Sequence, residues 1–312
     1  IEAYKLNASV GNPDLESEEA INSSIGFIYS PNDNLIITVD RWSIAKEKTI
    51  GIFGPDNNTA YDLLLRLDGS CDGNPAVIRA PAPTDWDTYY ADSALCPTGQ
   101  ILRIEDQFMN LDDRYISGSD YSFFYDKETN WGDFGFKYQS TIIDKFNQEP
   151  GGPAAAVIAA DEAGLFAGSN LDVAGFSNLL GKDGVFKKKG FYSFTFKRGD
   201  YTTTLRTYFK SGFEEAYNSK VAGTNTRDGA LCYLCDSSTT IVDSTYWLRA
   251  MKTTDLSLSY RTKINGNRLN ARFTVKNITD ERAPTADRSY GYWMGVHNDF
   301  GRYYNLDLKF RF

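Results

Sequence analysis

The chain has 312 residues, with 33 Lys plus Arg against 41 Asp plus Glu, a formal net charge of −8, one His and four Cys. It holds no run of about eighteen apolar residues, which excludes a helical membrane span, and its acidic balance without a basic stripe argues against nucleic acid as a partner. The aromatic content stands out: 20 Tyr, 20 Phe and 5 Trp are what strand propensity and aromatic girdles at a bilayer interface both ask for.

In chain order, the opening IEAYKLNASVGNPD has neither a start Met nor a leader pattern, and the chain is read as part of a longer polypeptide. Ile25, Phe27 and Tyr29 alternate with Gly26 and Ile28, Pro31-Asn32-Asp33-Asn34 turns, and Leu35, Ile37 and Val39 lead back to about Phe53, which predicts a tight hairpin. A long connection of Asp, Pro, Gly and Asn follows from 54 to 100, then a strand from Ile101 to Tyr125, a short turn at Lys127-Glu128-Thr129-Asn130, and a return strand through Phe134, Phe136 and Tyr138. Residues 147–188 form the next long connection, with a short helix expected in AAAVIAADEAG (154–164).

The third hairpin sets Tyr192, Phe194 and Phe196 opposite Ser193, Thr195 and Lys197, turns at Arg198-Gly199-Asp200 and returns through Thr203, Leu205, Thr207 and Phe209. The fourth alternates Leu256, Leu258 and Tyr260 with Ser257, Ser259 and Arg261, and turns at Asn265-Gly266-Asn267. It returns through Leu269, Ala271, Phe273 and Val275, with Asn270, Arg272, Thr274 and Lys276 on the other face. The chain closes on RYYNLDLKFRF, with Tyr304, Leu306, Leu308, Phe310 and Phe312 on one face and Asn305, Asp307, Lys309 and Arg311 on the other, because strand side chains alternate with a period of two.

Short turns alternate with long loops throughout. A soluble sandwich mixes the two at both ends, whereas a membrane β-barrel keeps short periplasmic turns at one end and long extracellular loops at the other. The fold class expected is therefore all-β: an antiparallel transmembrane β-barrel meander with the apolar rows facing lipid and the polar rows facing water. Arg272, Lys276, Lys309 and Arg311 are expected to face the lumen, and Phe312 to end on the periplasmic side. About nine strands are counted, an odd number that cannot close a single-chain bacterial barrel, so an open, curved sheet cut from a larger barrel is expected.

Four segments carry a family resemblance: GNPDLESEEAINSSIGFIYSP (11–31), CPTGQILRIEDQFMN (96–110), TVKNITDERAP (274–284) and the closing YYNLDLKFRF. Their order and spacing resemble those of TonB-dependent outer-membrane receptors over essentially the whole chain. The resemblance implies a barrel of about 22 strands, of which residues 1–312 supply about nine to ten as the C-terminal portion, with the plug domain and TonB box absent. It implies a location in the Gram-negative outer membrane, in contact with its lipid, as a monomeric barrel. It also implies uptake of a scarce nutrient (siderophore, cobalamin, haem or oligosaccharide) with energy supplied through TonB. An outer-membrane barrel enzyme and a soluble carbohydrate-binding β-sandwich are the alternatives.

Within the loops, an oxidising envelope and an even Cys count point to two disulfides, Cys71 with Cys96 and Cys232 with Cys235. A four-Cys zinc site is the poorer reading, because the first pair is spaced too widely. Trp86, Tyr89 and Tyr90 among carboxylates, and Tyr292 with Trp293, are candidate ligand-stacking aromatics, set against simple loop packing and an interfacial girdle. His297 is the one imidazole. With no nucleophile elbow, phosphate loop or zinc-protease motif, the chain is read as a non-enzyme, and no catalytic residue, metal or cofactor is assigned.

Overall fold

Period-two alternation commits a stretch to being a strand but does not choose its neighbour; pairing does that. The computed structural model describes residues 6–85, 96–166, 169, 171, 173, 175–216, 226–227, 230–231, 245–286 and 290–311. Its elements begin with β1 (Leu6–Val10), β2 (Glu19–Asn32), β3 (Leu35–Glu47), β4 (Ile50–Ile52), α1 (Pro55–Leu67), β5 (Val77–Arg79), β6 (Ile101–Asn110), β7 (Arg114–Thr129) and β8 (Gly132–Gln148). They continue with α2 (Pro153–Glu162), β9 (Ser177–Asn178), β10 (Lys188–Arg198), β11 (Tyr201–Lys210), β12 (Phe213–Ala216), β13 (Thr226–Arg227), β14 (Ala230–Leu231), β15 (Thr245–Leu248), β16 (Met251–Ile264), β17 (Asn267–Lys276) and β18 (Tyr303–Arg311).

Nine long strands form one antiparallel sheet in the order β18-β17-β16-β11-β10-β8-β7-β3-β2, with the short β9 added beside β8. Each wall strand therefore lies beside the wall strands that precede and follow it in the chain, a meander whose two edges, β2 and β18, are not paired with each other. Two-residue turns join β2 to β3, β7 to β8, β10 to β11 and β16 to β17. At the last of these both turn residues have positive φ, Asn265 at 50° and Gly266 at 83°, the backbone that matches strand twist across a two-residue hairpin and that favours an Asn-Gly pair.

The fully buried apolar side chains Phe166, Phe213, Ile104, Leu248 and Val157 all lie outside these nine strands. The apolar residues of the wall stay uncovered instead, with Ile25 75%, Phe27 64%, Tyr304 64% and Leu308 68% exposed. The described protein covers neither face of the wall with a second layer, as a soluble sheet of this composition would require.

The packed core sits in the long connections. Phe53, Ala60, Ala154, Val157 and Phe166 are buried together, with Tyr61, Leu64, Met109 and Phe176 against them, so α1 packs on α2. Beneath them β6 takes β1 in parallel on one side and β4 and β5 antiparallel on the other.

This rim sheet corrects three expectations. The strand expected from Ile101 to Tyr125 is two strands: β6 belongs to the rim and only β7 to the wall, the chain breaking at 111–113. Likewise the strand expected to reach Phe53 ends at Glu47, and β4 leaves to pair with β6. The 54–100 segment, expected as a long connection of Asp, Pro, Gly and Asn with no element assigned, contains α1. Its signal is Pro55 in the first turn with Asp56 beside it, Arg66 in the last turn and Gly69 at φ 86° just beyond, the ordinary punctuation of a helix. The helix expected at 154–164 is present as Pro153–Glu162.

Candidate functional site

The wall presents two chemically distinct faces. On one, a line of directly opposed residues runs unbroken through eight strands: Leu35, Tyr125, Phe136, Phe194, Leu205, Leu256, Val275 and Tyr304. Leu306 and Leu308 of the closing strand continue this face opposite Phe273 and Ala271, and Phe310 lies opposite Leu269. Trp131, 78% exposed, marks a tight turn of the wall. Burying such a band is worth roughly 25 cal/mol per Å² of apolar surface, so it calls for an apolar solvent or a partner.

The other face is polar. Across β11, β16, β17 and β18 it forms a groove lined by Thr202, Thr204, Arg206, Asp255, Ser257, Ser259, Arg272, Thr274, Lys276, Asn305 and Asp307, among others. Its upper part is internally matched: Lys276 donates to Asp255 at 2.7 Å and Arg272 to Ser259 at 3.2 Å, while Arg272 stands opposite Asp307. Arg272, Lys276, Lys309 and Arg311 all lie on this face by register, opposite the apolar one.

At the long-loop end, the rim is fastened to itself by a buried charge hub. The Asp62 carboxylate, fully buried, accepts from Arg66 Nε at 3.1 Å, from Arg79 Nε at 2.9 Å and from the Asn74 amide at 2.8 Å. Arg66 also donates to the Cys71 carbonyl at 2.6 Å and Arg79 to the Gly99 carbonyl at 3.0 Å. A β-carbon at Gly73 would strike the Asp62 carboxylate and the Arg66 guanidinium, and its φ is 64°, so only glycine fits there. Cys71 and Cys96 are joined by a disulfide. Beside this hub, Phe53, Asn58, Tyr61, Asn74, Asp106 and Gln107 help line a hollow of about 340 Å³, within the range of small-molecule sites. The sequence reading missed these residues because they come from α1 and the residues just before it, the 68–76 loop, β5 and β6, which only the fold assembles.

Of the candidate ligand aromatics, Trp86, Tyr89 and Tyr90 lie outside the described residues, as do Cys232, Cys235 and Phe312. Tyr292 and Trp293 are both half-buried. Trp293 packs edge-on to Phe213 at 5.3 Å, in a cluster with Leu248, Ala286, Phe186 and Val296, so part of its ring serves packing. Their neighbours Tyr290, Met294 and Phe300 are the more exposed, at 71%, 62% and 82%.

His297, only 4% exposed, stacks on Phe213 at 5.8 Å. Burial first, and then the charges of Lys210 and Arg249, pushes its pKa down to about 4, so it is neutral at ordinary pH. Arg282 clamps Asp299 in the same loop through Nε at 2.9 Å, with the Ala283 amide adding 2.8 Å. Chiefly through that Arg282 hydrogen bond, Asp299 is held below the usual carboxylate range.

An antiparallel meander with tight turns between its hairpins, an uncovered apolar band and a polar opposite face defines part of a β-barrel wall. Solved structures similar to it include TonB-dependent receptors. The siderophore receptor PirA from Acinetobacter baumannii superposes with a TM-score of 0.54 at 12% identity, over 97% of this chain and 33% of PirA. A mutant ferric enterobactin receptor, PfeA from Pseudomonas aeruginosa, solved with enterobactin, gives 0.52 at 13% identity over 96% and 32%. This chain thus spans about a third of the length of the receptors it matches. No protein-family model and no curated relative matches the sequence.

Proposed function

We propose that this chain is the C-terminal portion of the barrel of an outer-membrane receptor that imports a scarce small nutrient, a siderophore, cobalamin, haem or an oligosaccharide. Energy reaches it through TonB, and the chain acts as a transporter rather than an enzyme. The observation that carries this reading is the line of opposed apolar residues from Leu35 to Tyr304, left bare on a sheet whose other face is hydrophilic. Lipid is the solvent that rewards that arrangement. The unpaired edges β2 and β18 require further strands to close the cylinder, since each backbone group left unpaired in hydrocarbon costs several kcal/mol.

In this reading the plug is supplied by sequence beyond these strands, the rim built on α1, α2 and β6 forms the outer mouth, and the polar groove is lumen wall. Trp86, Tyr89, Tyr90, Tyr292 and Trp293 remain the proposed ligand-contacting aromatics, joined by the rim hollow around Tyr61 and Asp106. A second disulfide, Cys232 to Cys235, is proposed for the loop between β12 and β15. The test is fractionation of the full-length protein, followed by growth of a deletion strain on limiting nutrient. The expected result is recovery with outer membranes and a nutrient-specific growth defect rescued only in cells with a working TonB system. Recovery in the soluble fraction ends the proposal.

A further inference from the structure

The charge on the inner wall is unevenly spread. On β3 and β7, Asp40 stands directly opposite Asp120. On β16, β17 and β18 the short-turn end carries two cross-strand rows: Lys263, Arg268 and Arg311 in one, and Arg261, Asn270 and Lys309 in the other. All five cations are exposed, and together with Asp200, the single acid, they line one open hollow. Among the described residues none of the five forms an ion pair, whereas Lys276, higher on the same wall, is matched to Asp255.

Like charges directly opposite each other destabilise a sheet, and register puts Lys263 against Arg268 and Arg268 against Arg311. In a chain of net charge −8, general basicity does not explain the concentration. The dimensions limit the occupant. With strands about 4.8 Å apart and alternate residues about 7 Å apart along a strand, the cluster covers roughly 10 by 7 Å, the footprint of one small solute. Three of the heads are guanidinium groups, whose forked donors match the paired oxygens of phosphate and carboxylate.

We propose that this end of the inner wall is a binding site for a small solute bearing two or more phosphate or carboxylate charges, held between Arg268, Arg311 and Lys309 with Arg261 and Lys263 at its margin. The assignment rests on the lumen reading of this face. The site draws anions towards the short-turn end, because five cations against the single Asp200 concentrate counter-charge.

The experiment is calorimetric titration of inorganic pyrophosphate into the full-length protein in detergent, at low and at physiological salt. Comparison is with the R268Q/R311Q variant and with K127Q/K137Q, which removes the same charge from β7 and β8. Both pairs are exposed, so folding is not at stake. The expected result is saturable binding weakened at least tenfold by R268Q/R311Q, unchanged by K127Q/K137Q, and weakened by salt. No saturable binding, or equal loss in both variants, overturns the site. Failure of the transport reading is separately visible, as a protein that binds pyrophosphate through these arginines but does not fractionate with the outer membrane.

Discussion

Phe273 and Leu306 stand directly opposite each other on β17 and β18, and both are left open, 39% and 62% exposed. An apolar cross-strand pair of this size on an uncovered face is stable only where the surroundings are themselves apolar. Leu306→Arg is expected to cost about 2–4 kcal/mol if that pair lies near the bilayer midplane. Asn305→Arg, one residue away on the polar face, should cost under about 1 kcal/mol. Urea unfolding in lipid vesicles separates the two, and equal costs would contradict the lipid-facing assignment.

Asp62, itself fully buried, holds the nearly buried Arg66 and the partly open Arg79. Asp62→Asn leaves Arg66 and Arg79 in place without their anion, and removing one partner of a buried ion pair typically costs about 3–5 kcal/mol. The loss should be local: faster amide exchange in α1 and in 68–79, with the wall strands β16 to β18 unchanged.

The Cys71–Cys96 bridge closes a loop with a sequence separation of 25. Cross-linking a loop of that length restricts the unfolded rim by about 3.5 kcal/mol on a chain-entropy account. Cys71→Ser with Cys96→Ser, or reductant alone, is expected to open the 68–100 segment to limited proteolysis while leaving the barrel resistant to detergent. Unaltered cleavage would mean that the Asp62 hub suffices by itself.

His297 gives the 277–301 loop a pH dependence. Its folded pKa of about 4 lies below the usual unfolded value near 6.5, so the unfolded loop binds the proton first. The stability is fully present above about pH 6.5 and is lost progressively as pH falls towards 4, by roughly 3 kcal/mol at most. Cleavage within 277–301 should rise over that window in the wild type and stay flat in His297→Phe, which keeps an aromatic ring against Phe213 and removes the titration.

The short-range features of this chain were legible in order. Alternation assigned residues such as Phe194 and Thr195 to opposite faces, and Asn265-Gly266 marked its turn, because side-chain direction and turn backbone depend on residues a few positions apart. Ile101 to Asn110 is expected to open the wall strand that ends at Tyr125, yet β6 leaves the wall for the rim, where it pairs with β1, β4 and β5. Periodicity carries no information about the partner strand.

The sequence by itself thus determined a barrel-wall meander, its two faces and its tight-turn end, since each follows from local pattern summed along the chain. Only the tertiary structure decided what meets what: Asp62 with Arg79 across the rim, Trp293 spending an edge on Phe213, and Lys263, Arg268 and Arg311 drawn into one row. Those contacts depend on register and packing between segments far apart in the chain, where a shift of one residue would turn each side chain to the opposite face.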